Sequence, residues 1–229
     1  MVKMMAIAAT AMIAFLVVGA AATDSGLCQG VRRYRLEVSF NWSGMSHPNA
    51  YPENGVFSPL VAAAHNSCYN IWTPGCYVSE GGQEIAETGN PTQLIAELEA
   101  QMGRNVFSYA AESMPTEDGT TVVTLDLRLQ GHTKRTQISA MTMLFPSPDW
   151  FTGVDNIEMC DTKAGRWIWE REGNLSVWDA GTALGLNFLS PDRANKVQRP
   201  IVSILGSRFD GIPVGTWKIY RIRNTSRSN

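Results

Sequence analysis

Tyr34, Leu36, Val38 and Phe40 alternate with polar partners along the chain, and Val123, Leu125, Leu127 and Leu129 do the same. A period of two puts apolar side chains on one face of an extended segment, so both stretches predict half-buried strands. The run Ile138 to Phe145, the segment Trp167-Ile168-Trp169 and the terminal Trp217 to Ile222 predict further strands with less regular alternation. One stretch carries the helical period instead. Asn90 can cap it, Pro91 suits its first position, Leu94, Ile95, Leu98 and Met102 form its apolar stripe, and Gly103 closes it. Many strands with one or two short helices in the connections predict an antiparallel β-sandwich. The stretch from Trp42 to Tyr77 shows no clear period, is rich in Pro, Gly, Asn and aromatics, and is expected to be tied down rather than free.

The first residues change the setting. Lys3, an apolar run from Met4 to Val18 and the small residues Gly19 to Ala22 are the three parts of a cleavable secretory leader, read here as residues 1–22. The apolar run falls short of the roughly 20 residues that span a bilayer, and no later stretch is continuously apolar, so no transmembrane segment is expected. About 200 residues remain, which suits one well-buried core. They are read as one domain over 28–223 followed by a polar tail at 224–229. The formal charge of −2, slightly more negative once Lys3 is gone, argues against nucleic acid as the partner.

Catalytic signatures are missing. The chain has no G-x-S-x-G elbow, H-E-x-x-H pair, Walker loop or dinucleotide fingerprint, so it is not expected to be an enzyme. A hydrolase built from a dispersed Ser-His-Asp set is the weakest of three functional classes. His47 and His65 read as hydrogen-bonded packing residues, and Glu84, Glu87, Glu97 and Glu99 as solvated faces near a helix. Cys28, Cys68, Cys76 and Cys160 enter an oxidising compartment, where two disulfides are the default and three pairings are open. His65 with Cys68 and Cys76 makes a partial zinc set that lacks a fourth ligand.

Two aspartates stand out by their settings. In Pro146-Ser147-Pro148-Asp149-Trp150-Phe151 the prolines stiffen the backbone and remove two donors. In Trp178-Asp179-Ala180-Gly181-Thr182 a carboxylate again follows a tryptophan and precedes a glycine turn. Rigid loops that each carry one Asp can build an oxygen site for a hard cation. The alternative is two capped turns with aromatic plugs. Three sequons, Asn41-Trp42-Ser43, Asn174-Leu175-Ser176 and Asn224-Thr225-Ser226, are candidate glycosylation sites.

Pro146 to Val154, Cys160 and Trp178 to Gly185 resemble the signature of the spondin domain. Its opening is visible in Tyr34-Arg35-Leu36, Asn41-Trp42-Ser43, His47-Pro48, Tyr51-Pro52, Phe57-Ser58-Pro59-Leu60 and His65. The resemblance runs in order over nearly the whole chain after the leader, without the thrombospondin type 1 repeats that many members append. It implies a sandwich of about eight strands, of the calcium- and lipid-binding type. It implies a disulfide Cys28–Cys160, which leaves Cys68–Cys76 as a local loop staple. It also implies a calcium site held by Asp149 and Asp179, although Ala183 replaces the expected third acid and weakens it. Asp155 and Asp161 are conceivable substitutes. The implied function is a secreted binding protein of the extracellular matrix or cell surface that supports adhesion, with matrix or cell-surface proteins as partners. The alternative it implies is a recognition protein for microbial surfaces and their glycans.

Overall fold

The computed structural model describes residues 26–112, 120–190 and 194–223; the leader and the Asn224 sequon lie outside them. In chain order the strands are β1 (Val31–Asn41), β2 (Val56–Phe57), β3 (Leu60–His65), β4 (Val106–Glu112), β5 (Thr120–Gln130), β6 (Gln137–Phe145) and β7 (Trp150–Glu158). They continue as β8 (Cys160–Asp161), β9 (Arg166–Trp167), β10 (Glu170–Asn174), β11 (Val177–Asp179), β12 (Val202–Ser203) and β13 (Gly215–Arg221). Helices α1 (Glu80–Thr88) and α2 (Thr92–Ala100) lie between β3 and β4, and α3 (Leu205–Arg208) precedes β13.

A four-stranded sheet in the order β10-β13-β1-β5 packs on a seven-stranded sheet, β12-β11-β7-β6-β3-β4 with β2 paired to β6. Every sheet pairing is antiparallel. The architecture is the expected β-sandwich, and the short pieces β2, β8, β9, β11 and β12, of two or three residues, account for the strands beyond the eight long ones. β1 and β5 alternate strictly, with Tyr34, Leu36, Val38 and Phe40 facing Val123, Leu125, Leu127 and Leu129 in the interior. Trp167 ends β9 and Trp169 lies outside any strand, so Trp167-Ile168-Trp169 is a junction rather than one strand.

The larger sheet is buried on both faces. Leu60, Ala62 and Ala64 of β3 face the sandwich interior, while Val61 and Ala63 face a second core with Ile85, Leu94 and Leu98 from the helices. A strand covered on both sides has no polar face to alternate with, and alanine is a poor strand former. For this reason β3 is hidden within the aperiodic stretch 42–77, and β6 alternates poorly.

Helix α1 is hidden for a different reason. It carries Gly81 and Gly82 in its first turn, which lowers helical propensity. A Cβ on Gly81 would lie 2.5 Å from Leu94 Cα, so this glycine is what lets α1 and α2 touch. The two helices also cap each other. Glu97 of α2 accepts from the Gly81 N–H of α1 at 2.7 Å, and Glu84 of α1 accepts from the Gln93 N–H of α2 at 3.2 Å. A carboxylate on exposed N–H groups at a helix start is favoured by both hydrogen bonding and the helix dipole. Glu84 and Glu97 are thus capping groups, where the sequence suggested solvated faces.

The stretch 42–77 is held by buried indoles. Trp42 donates to the Ala50 carbonyl at 2.7 Å, and Trp72 to the Ala140 carbonyl at 2.8 Å. Cys28 and Cys160 form a disulfide with a Cα–Cα distance of 5.9 Å, closing 132 residues of sequence. The expected Cys68–Cys76 bond is not formed: both thiols are free and exposed. Each belongs to a different part of the fold. Cys68 N–H donates to Asn66 Oδ1 at 3.0 Å, whereas the Cys76 carbonyl accepts from Ile201 N–H at 2.8 Å. The zinc set fails as well, because His65 is fully buried with its ring nitrogens bonded to the Asn66 carbonyl and Ser139 Oγ.

Stability and thiol reactivity check this frame. Leu98 is fully buried between α2 and the larger sheet, so Leu98→Ala should cost about 2–5 kcal/mol in chemical denaturation. In the native protein a thiol reagent should label Cys68 and Cys76 and spare Cys28 and Cys160. Reduction of the Cys28–Cys160 bond should cost about 4–5 kcal/mol of stability by chain entropy. Peptide mapping that finds Cys68 bonded to Cys76 would contradict the thiol assignment.

The Asp149–Asp179 loops as a candidate cation site

Asp149 sits at the mouth of β7, and the residues after it split between the two cores. Trp150 turns into the sandwich interior, 5.0 Å from the Phe188 ring and 6.1 Å from Phe209. Phe151 turns to the helix side, 5.0 Å from Trp72, which in turn lies 5.3 Å from Trp178. Aromatic anchors on opposite faces leave Asp149 little freedom to move. Before it, Ser147 Oγ accepts from the Trp150 N–H at 3.1 Å and closes the proline turn, whose Phe145–Pro146 peptide is cis.

The companion loop is sewn to the first. β11 pairs with β7 so that Asp179 lies opposite Trp150, and the Ala180 N–H donates to the Asp149 carbonyl at 3.1 Å. The Thr182 and Ala183 N–H groups then donate to Asp149 Oδ2 at 2.8 and 2.9 Å. Asp179 Oδ1 accepts from the Gly181 N–H at 2.8 Å. Gly181 has φ +75°, and a Cβ there would lie 2.2 Å from the Arg199 carbonyl oxygen, so only glycine fits that turn. Gly185 likewise lets the loop rest on Pro148, since its Cβ would come within 2.2 Å of the Pro148 ring.

The capped-turn reading therefore accounts for half of Asp149. The other half it leaves open. Asp149 is 1% exposed, and its Oδ1 is enclosed without any hydrogen-bond partner among the described residues. Burial pushes the carboxyl up to about 6 against the pull of the Ala183 and Thr182 donors, and the charge of Asp179 adds to the rise. The two aspartates stand on paired loops, with Asp179 opposite Trp150, the neighbour of Asp149. A buried carboxylate oxygen without a partner among the described residues, with a second acid on the paired loop, is what makes these loops the candidate cation site. Among the described residues no group of three or more His, Cys, Asp or Glu side chains gathers here or elsewhere.

Ala183 is buried, and its backbone N–H serves Asp149 where a side-chain acid was expected. The suggested substitutes do not join the site. Asp155 accepts from Thr73 Oγ1 at 3.1 Å further along β7, and Asp161 accepts from the Lys163 and Ala164 N–H groups in the β8–β9 turn. Thr182, at the end of the companion segment, and Arg208 also belong to the site, without a sequence signature of that role. Arg208 lies 5.2 Å from the Trp150 ring and donates to the Leu186 carbonyl, bracing the loop from outside. A backbone donor carries no residue signature, so only the threonine after the glycine turn could have hinted at it.

Elsewhere, His65 accepts the Ser139 hydroxyl at 2.9 Å in a Ser–His pair, but both residues have no exposed surface. Burial lowers the pKa of His65 and of His47, which is bonded to Ser46 and the Ile212 carbonyl. Asn41 and Asn174 are both exposed and line one shallow depression with Gly215 and Thr216, at the far end of β1 from Val31.

In chelator, Asp149 gives the protein a defined pH dependence. Its folded pKa is raised, so its contribution to stability is full below about pH 4 and is lost as pH rises through about 6. Asp149→Asn should remove that slope in urea titrations across this window. A wild-type slope unchanged by the substitution would place the titration elsewhere.

The Spondin_N family model matches residues 32–210. Rattus norvegicus Spondin-2 is 34% identical over 182 residues, covering 76% of this chain and 53% of that protein. Homo sapiens Spondin-2 is 33% identical over 187 residues, covering 78% and 54%. Rattus norvegicus Spondin-1 is 30% identical over 181 residues, covering 76% and 22%. The chain thus spans about half the length of the Spondin-2 proteins and less of Spondin-1.

Proposed function

The chain belongs to the Spondin_N family, and on that premise we propose that it is a secreted binding protein of the extracellular matrix or cell surface that supports adhesion. Its recognition surface is the end of the sandwich where the loops of Asp149 and Asp179 meet, and calcium stiffens it. The leader sequence and the buried Cys28–Cys160 bond support an oxidising, extracellular setting. No described helix is long and apolar enough to cross a membrane.

One observation carries the calcium reading: the enclosed Oδ1 of Asp149, without a partner among the described residues, on a loop paired with that of Asp179. The residues fit a calcium ion in part. Asp149 Oδ1 and the free oxygen of Asp179 would hold it, with backbone carbonyls and water completing a shell of six to eight oxygens. Bound there, calcium supplies positive charge that relieves the buried carboxylate. The chain's own part is to hold both loops in register through Thr182, Ala183 and Ala180, so that the surface around them keeps one shape. Two carboxylates without a third imply an affinity on the order of 10⁻⁴–10⁻³ M, the range of extracellular modules.

Calcium at about ten times its Kd should stabilise the protein by about 1.4 kcal/mol, read as a rise in Tm. Asp149→Asn and Asp179→Asn should each remove the rise. Ala183→Asp should destabilise the protein in chelator and tighten calcium binding. Host cells should adhere to immobilised protein in calcium and detach in chelator, with bacteria as the parallel arm. Adhesion indifferent to chelator and to both Asn variants would refute the proposed surface.

A further inference from the structure

At the opposite end of the molecule the four-stranded sheet carries an open groove of about 610 Å³ lined by Arg32, Arg33, Arg128, Arg221 and Arg223. Three chain segments far apart in sequence supply these side chains. Antiparallel pairing brings the start of β1 beside the ends of β5 and β13, with Arg33 opposite Arg128 and Tyr34 opposite Arg221.

Like charges brought this close repel one another, and a fold normally offsets them with carboxylates. Here it does not. Among the described residues, the one carboxylate bonded to the groove is Asp126, which already binds Arg35 through two hydrogen bonds of 2.7 and 3.1 Å and meets Arg33 only at 3.3 Å. Arg32 keeps an enclosed Nε–H with no acceptor. The other guanidinium groups are held by aromatic faces. Arg128 lies 5.3 Å from the Phe107 ring centre, and Arg221 and Arg223 lie 5.8 and 5.5 Å from that of Trp169. Stacking fixes a guanidinium through its flat face and leaves its N–H edges free for an anion.

From this geometry we infer that the groove binds a sulfated polysaccharide chain of the glycosaminoglycan class. A linear polyanion matches a row of guanidinium groups of which, among the described residues, only Arg33 meets a carboxylate. A bilayer matches it less well, because interfacial binding buries apolar side chains, and the exposed indole of Trp169 is already covered by two arginines. The inference rests on the extracellular setting proposed above. It does not involve calcium or the Asp149 end.

The test is retention of the whole purified protein on immobilised heparin in chelator, with the salt dependence of the dissociation constant. Counterion release gives each neutralised charge a slope of roughly 0.7–0.9 in log K against log salt, so four or five arginines predict a slope of about 3–4. Arg128→Ser and Arg223→Ser, both exposed, should each weaken binding severalfold and lower the slope by about one. Lys218→Gln, on the same sheet but paired with Glu170 at 3.2 Å, should leave binding unchanged. If one variant loses its folded Tm, the other still decides through the slope. No retention, or retention indifferent to both arginines, overturns the inference. Tighter, arginine-dependent binding to phosphatidylcholine–phosphatidylserine vesicles that heparin does not displace overturns it in favour of a membrane. Asp149→Asn should lose calcium-dependent adhesion and keep heparin binding, so the two readings fail separately.

Discussion

A carboxylate enclosed by protein must have its charge answered locally, and Asp149 is answered on one side only. Its Oδ2 ties the proline loop to the backbone of Thr182 and Ala183, and the site and both loops depend on that tie. Removing the carboxylate would leave two buried N–H groups without an acceptor, at about 1–3 kcal/mol each. The same position leaves Oδ1 without a partner among the described residues.

The rest of the fold serves to hold that group still. Trp150 and Phe151 anchor in two cores because the larger sheet is covered on both faces, by the smaller sheet and by the α1–α2 pair. At the other end of β7, the disulfide ties the chain ahead of β1 to β8. The two ends of the sandwich carry opposite chemistry. Two aspartates on paired loops sit at one end and an arginine groove at the other.

Much of this was legible in the residues. The strict alternation of Tyr34 to Phe40 and Val123 to Leu129 marks strands with one wet face, and Leu94 and Leu98 mark the packed face of α2. Asp149 and Asp179 stand out because stiff, aromatic-flanked loops present them. What escaped the sequence had no local signature. β3 reads as aperiodic because both its faces are buried, and α1 hides behind two glycines needed for close packing. Cys68 and Cys76 looked paired by elimination, yet different hydrogen bonds hold each. The arginine groove forms only when β1, β5 and β13 align, although Arg32-Arg33 and Arg221-x-Arg223 at adjoining strand ends were a usable hint.

The central claim is that Asp149 Oδ1 is a cation ligand rather than a buried acid. Crystals grown with calcium and examined at high resolution decide it most directly. The account predicts one strong density peak 2.3–2.6 Å from both Asp149 Oδ1 and an oxygen of Asp179, with anomalous signal of calcium. A water at hydrogen-bond distance from Oδ1, with no ion between the two aspartates at millimolar calcium, would contradict it.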